Sequence, residues 1–167
     1  MKTLKQLSIL IILVFTISCS NDDDSEPTPE PIAAPANFSE IKLSDIVAKE
    51  SKMSSAIITG TTEAGIQLTP GIVLVYKTSE NHYGKLQVVS IDLSNYTIVF
   101  KGANFNSDGS VNNSTSNFLV NATYEADIDL FTTGGEASFK DFHWRKLTST
   151  NANLEPKNGA KFYKYTF

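Results

Sequence analysis

The sequence predicts an all-β domain, an antiparallel β-sandwich of about 7–8 strands, behind a signal peptide and a disordered tether. Short apolar segments recur along the chain and are rich in β-branched and aromatic residues. Clusters of Gly, Asn, Asp and Ser separate these segments, as expected of turns between strands. Only residues 40–53 have an apolar spacing compatible with a helix.

The predicted strands follow one another through a single domain, residues 38–167. They cover residues 55–60, 71–77, 84–91, 95–101, 118–130, 138–147 and 161–167. Residues 71–77 form a continuous apolar run, which is typical of a strand buried on both faces. In residues 95–101 apolar side chains recur at every second position, the period of a strand. A domain of this size can bury a core without disulfide bonds.

The longest alternation covers residues 118–130. Its apolar residues lie on one face, whereas Glu125, Asp127 and Asp129 lie on the other. The pattern predicts either one long half-exposed strand or two strands that meet at a bend. Alternate carboxylates on a strand are about 6.8 Å apart, which suits a cation or a sugar. We expect here a solvated face that discourages edge pairing.

The N-terminus has the features of an export signal. Two lysines precede an apolar run at residues 7–17, which is too short to span a hydrocarbon layer of about 30 Å. The motif Phe-Thr-Ile-Ser-Cys that ends at Cys19 resembles the lipobox of bacterial lipoproteins, with Thr16 in place of the usual Leu. The resemblance implies that residues 1–18 are removed and that acyl chains such as palmitate are attached at Cys19, the only cysteine in the chain.

An acidic cluster follows this cysteine. It consists of Ser20, Asn21, Asp22, Asp23 and Asp24. The cluster resembles the export signal of Bacteroidetes surface lipoproteins, which implies that lipid holds the protein on the outer membrane, at the cell surface. The alternative is the membrane leaflet that faces the periplasm. Four prolines between residues 27 and 35 favour an extended conformation, so residues 19–37 are predicted to form a flexible tether.

The charge of the chain argues against one class of partner. Without residues 1–18 the protein has 12 basic and 18 acidic residues, a formal charge of −6. A nucleic-acid partner would require a basic face, so we expect none.

Motifs for catalysis or metal binding are weak. His82 and His143 are the only histidines, and no thiol is available to complete a zinc site with them. There is no G-x-S-x-G motif for a nucleophilic serine. Asn104, Asn106 and Asp108 match only part of a calcium loop, which lacks its first acid and its final Glu, so a hairpin turn is expected. The sequence therefore predicts no catalytic residue, no metal and no cofactor.

Aromatic residues crowd the last thirty positions. Trp144, His143, Arg145, Tyr163 and Tyr165 are the predicted ligand-binding residues, with core packing as the alternative for each aromatic ring. The resulting hypothesis is a non-enzymatic surface module that binds glycan or protein. The alternatives are a small glycan hydrolase that uses Asp127 or Asp129, and an accessory subunit of an outer-membrane complex.

Overall fold

The strands pair into two antiparallel sheets, which confirms the predicted all-β sandwich. The computed structural model describes residues 34–59, 68–121, 124–148 and 151–167. The predicted signal peptide, Cys19, the acidic export signal and most of the tether lie outside these ranges. No helix within the described ranges is long and apolar enough to cross a membrane.

Nine strands are present in the described residues. They are β1 (Ile58–Thr59), β2 (Val73–Lys77), β3 (Tyr83–Asp92), β4 (Thr97–Phe105), β5 (Val111–Asn121), β6 (Tyr124–Ala126), β7 (Phe142–Thr148), β8 (Asn151–Pro156) and β9 (Lys161–Tyr165). One sheet has the order β5-β4-β3-β2-β9, and the other has the order β1-β8-β7-β6. Strands β2 to β5 are joined in sequence by turns, whereas β9 returns from the other sheet to pair with β2.

The chain changes sheets between β5 and β6. Residues 118–130 therefore do not form one strand, and the alternative of two strands is confirmed. On the inner faces the apolar positions of both sheets meet. Their largest fully buried members include Tyr76, Phe100, Phe142 and Trp144. The rings of Phe100 and Phe142 pack edge to face with centroids 5.9 Å apart, an arrangement that aromatic quadrupoles favour.

A second, smaller core lies on the outer face of the five-stranded sheet. Residues 34–53 cross this face as a helix α1 (Leu43–Val47) flanked by two 3₁₀ turns, Phe38–Glu40 and Glu50–Lys52. Ile41 and Ile46 of this segment are buried there. Helical structure was expected in residues 40–53, and α1 and the 3₁₀ turn Glu50–Lys52 lie in that range.

Lys85 of β3 holds this N-terminal segment to the sheet. Its side chain is buried, and its ammonium donates hydrogen bonds to the carbonyl oxygens of Phe38 and Ile41 at 2.7 and 2.8 Å. Burial lowers the pKa of Lys85. Pro35 is also buried, and the compact unit begins at Ala34, a few residues before the predicted boundary at residue 38.

Candidate functional site

Trp144 does not offer a ring to a ligand, and the prediction that it does is wrong. Its side chain is fully buried, and its indole N–H donates to the carbonyl oxygen of Tyr96 at 3.1 Å. Successive side chains of a strand point to opposite faces, so Phe142 and Trp144 enter the core while His143 and Arg145 face outward.

His143 and Arg145 lie on the outer face of the four-stranded sheet, and Glu155 of β8 lies beside both. Arg145 Nη1 is 3.2 Å from Glu155 Oε1, and His143 Nδ1 is 3.8 Å from Glu155 Oε2. Arg145 is more than half exposed, so this is a surface ion pair of small energetic weight.

The two predicted tyrosines are on the other side of the sandwich. Tyr163 and Tyr165 pack on the outer face of the five-stranded sheet, against the N-terminal segment. Tyr165 is only 8% exposed. The five predicted ligand-binding residues therefore lie in three places, the core and two opposite faces, and they form no common site.

The acidic residues after β6 come together instead. Asp127 and Thr132 exchange two backbone hydrogen bonds of 2.9 and 3.0 Å, which close a tight turn over residues 127–132. The carboxylate of Asp127 also accepts from the N–H of Leu130 at 3.1 Å. Asp127 is 4% exposed, so the expected solvated strand face is wrong at this position, because the chain turns back there.

Asp141, just before β7, connects this turn to the other sheet. Its carboxylate is fully buried and accepts from the backbone N–H of Ser79 at 2.7 Å and of Ile128 at 3.0 Å. Ser79 belongs to the turn between β2 and β3. Burial raises the pKa of Asp141, although the two amide donors oppose the rise.

Asn104 of β4 forms hydrogen bonds to the same turn. Its amide donates to the carbonyl oxygens of Ile128 and Asp129 at 2.7 and 3.0 Å, and its own oxygen accepts from the hydroxyl of Tyr76. A Cβ on Gly84 would overlap the Tyr76 hydroxyl, so this arrangement requires glycine there. Asn104 thus takes no part in a calcium loop, and residues 106–110 form the expected hairpin turn.

Asp129 belongs to the turn of residues 127–132 that these hydrogen bonds stabilise. Its side chain is 11% exposed, its hydrogen-bonding neighbours are the side chains of His82 and Thr78, and His82 Nδ1 is 3.2 Å from Oδ1. Burial, followed by the charge of Asp141, raises the pKa of Asp129 to about 6. One oxygen from each of Asp127, Asp129 and Asp141 lies within 4.8 Å of the others.

A cleft of about 310 Å³ opens above Asp127 and Asp129. Its other lining residues are Glu80, His82, Asn112, Leu130 and Phe139. Leu130 and Phe139 are large apolar side chains that are 67% and 41% exposed. The cleft therefore combines hydrogen-bond acceptors on its floor with apolar walls.

The comparisons with known proteins found no relative: no protein-family model, no curated protein and no solved structure matches this chain.

Proposed function

We propose that this chain is a lipid-anchored protein of the outer cell surface whose β-sandwich binds glycans without cleaving them. The observation that supports a glycan ligand is the cleft, where the exposed carboxylate of Glu80 lies with the exposed ring of Phe139 among the lining residues. Sugar hydroxyls donate hydrogen bonds to carboxylates, and the apolar face of a sugar packs on an aromatic ring.

The size of the cleft favours a small polar ligand. Its volume of about 310 Å³ lies at the lower end of the roughly 300–1,000 Å³ that small-molecule sites occupy. A protein partner would instead require a surface of about 800 Å² on this chain. The proposed ligand is therefore one or a few sugar units of a longer glycan.

Replacing Phe139 with alanine is expected to weaken glycan binding by about 10-fold, the loss of about 1.4 kcal/mol of ring contact. Phe139 is exposed, so the midpoint of unfolding is expected to stay unchanged. The measurement is binding of the full chain, purified in detergent, to a broad panel of bacterial and host glycans.

Leu147→Ala is the matched control for this variant. Leu147 is 42% exposed and lies at the far end of β7 from the cleft, so its loss should leave binding intact. If the wild-type chain binds no glycan of the panel, the proposal that its ligand is a glycan is rejected. Equal weakening by both variants would reject the cleft as its site.

The membrane anchor is tested at Cys19, which the lipobox resemblance identifies as the acylated residue. Cys19→Ala is expected to remove palmitate labelling and to release the protein from the membrane fraction, because acyl chains supply the anchoring energy and stable anchoring takes more than one of them. Labelling that persists in this variant would contradict the proposal.

A glycan hydrolase is the second candidate, and the spacing of the carboxylates is the observation that favours it. Glycosidases use a pair of neighbouring carboxyl groups, and one carboxylate oxygen from each of Asp127, Asp129 and Asp141 lies within 4.8 Å of the others. However, Asp141 is fully buried and accepts from two backbone amides, and Asp127 accepts from Leu130. Neither is free to attack a sugar, so turnover that Asp129→Asn abolishes would be needed to favour the hydrolase.

A further inference from the structure

We infer that strand β5 is a docking edge for a second copy of this chain, which pairs with it antiparallel through residues 117–121. β5 is the outermost strand of the five-stranded sheet, and within the described residues it pairs with β4 alone. The other side of an edge strand presents backbone N–H and C=O groups to which a further strand can bind. The inference goes beyond the glycan function and does not depend on it.

The other sheet edges are protected, as far as the structure describes them. β9 carries Lys161 and Lys164. Its free side is closed by Ser54, whose backbone exchanges two hydrogen bonds of 2.9 Å with Phe162. β1 and β6 are only two and three residues long. Charges, covering segments and short strands are the usual protection of an edge, but β5 has eleven residues and none of them is charged or a proline.

The regular part of β5 is its C-terminal end. The register between β4 and β5 shifts twice, once on each side of residues 113–115. Bulges of this kind twist an edge and hinder pairing, so they protect the first part of the strand. After the second shift, residues 118–121 pair with β4 without interruption. A regular and unprotected edge thus remains there.

Leu119 adds an apolar contact to this edge. The side chains of Phe118 and Val120 are buried in the core, so Leu119 between them points to the outer face of the sheet. Leu119 is 48% exposed and lies beside Val99, its partner on β4. A second chain that covers Leu119 would remove this apolar surface from water.

The edge is complementary to itself, which selects a second copy as the partner. In an antiparallel pair with Leu119 on a twofold axis, Leu119 of each chain lies opposite Leu119 of the other. Phe118 of each chain then lies opposite Val120 of the other, and Asn117 opposite Asn121. Apolar residues thus meet apolar residues, amides meet amides, and no like charges face each other. Inward side chains also lie beside inward side chains, so the two sheets continue as one.

The test measures the oligomeric state of the full chain in detergent by sedimentation velocity. A paired edge of this length is a small interface, so we expect a dimer with a dissociation constant on the order of 10–100 µM. The chain concentration is varied from well below to well above this range. A chain that remains monomeric at every concentration overturns the inference.

Leu119→Lys is the diagnostic variant, because it places two positive charges opposite each other on the twofold axis. We expect its dissociation constant for the dimer to rise by at least about 10-fold. Leu147→Lys is the matched control, because Leu147 is 42% exposed and belongs to β7 of the other sheet. It should form the dimer as the wild type does. Both variants should unfold cooperatively, since neither side chain is buried.

Cysteine variants at the same two positions test the register. Leu119→Cys should give a disulfide-linked dimer on mild oxidation, because facing residues of an antiparallel pair lie within disulfide reach. Leu147→Cys should not do so. Cys19 is the only other cysteine, and a link through it would appear in both variants alike. A dimer that Leu119→Lys leaves unchanged, or equal cross-linking of the two cysteine variants, overturns the inference.

Discussion

Replacing Trp144 with alanine is expected to lower the free energy of unfolding by about 3–5 kcal/mol. The side chain is fully buried between the sheets, so its removal leaves a large cavity. It also leaves the carbonyl oxygen of Tyr96 without the indole donor. Urea unfolding followed by circular dichroism measures the loss.

Two controls define the origin of this effect. Trp144→Phe keeps most of the volume but loses the N–H, so it should cost less than the alanine variant. Leu147→Ala removes an exposed apolar side chain from the same strand and should change the free energy of unfolding by less than about 1 kcal/mol. If Trp144→Ala were as stable as Leu147→Ala, the burial of the tryptophan would be contradicted.

Asp141→Ala should lower the free energy of unfolding, measured by urea unfolding, by about 3 kcal/mol. Two buried N–H groups, those of Ser79 and Ile128, lose their acceptor, and each such loss costs about 1–3 kcal/mol. Removing a buried charge next to two other carboxylates returns part of this cost.

The control for Asp141 is another aspartate that caps backbone amides. Asp92 accepts from the N–H groups of Ser94 and Asn95, but it does so in an exposed turn, where water can replace it. Asp92→Ala should therefore cost less than about 1 kcal/mol. If both variants lost the same free energy of unfolding, the buried hydrogen bonds of Asp141 would contribute no more to stability than the exposed ones of Asp92.

The fold was predictable because it depends on local patterns. Continuous or alternating apolar segments predicted most of the strands, and the turn residues between them predicted antiparallel pairing. The order of strands was not predictable in this way. That β9 pairs with β2, and that Trp144 and Tyr163 belong to different sheets, depends on contacts between segments far apart in sequence.

The candidate site was harder to predict than the fold. Glu125, Asp127 and Asp129 were recognised as neighbouring acids, but period-two spacing placed them on one solvated face. The tight turn after β6 instead buries Asp127 and brings it to Asp141. The sequence places Asn104 in a partial calcium motif. In the structure its amide instead contacts a turn 24 and 25 residues later. Contacts between residues this far apart in sequence leave no pattern in the local spacing of residue types.

The Lys85 contact also determines how the domain would respond to mechanical force. Tension along the chain from its N-terminal side reaches residues 34–41 first, and there the Lys85 ammonium holds the carbonyl oxygens of Phe38 and Ile41. Such a load would act on these two hydrogen bonds and on the buried side chains of Ile41 and Ile46 before it reached the hydrogen bonds between the strands.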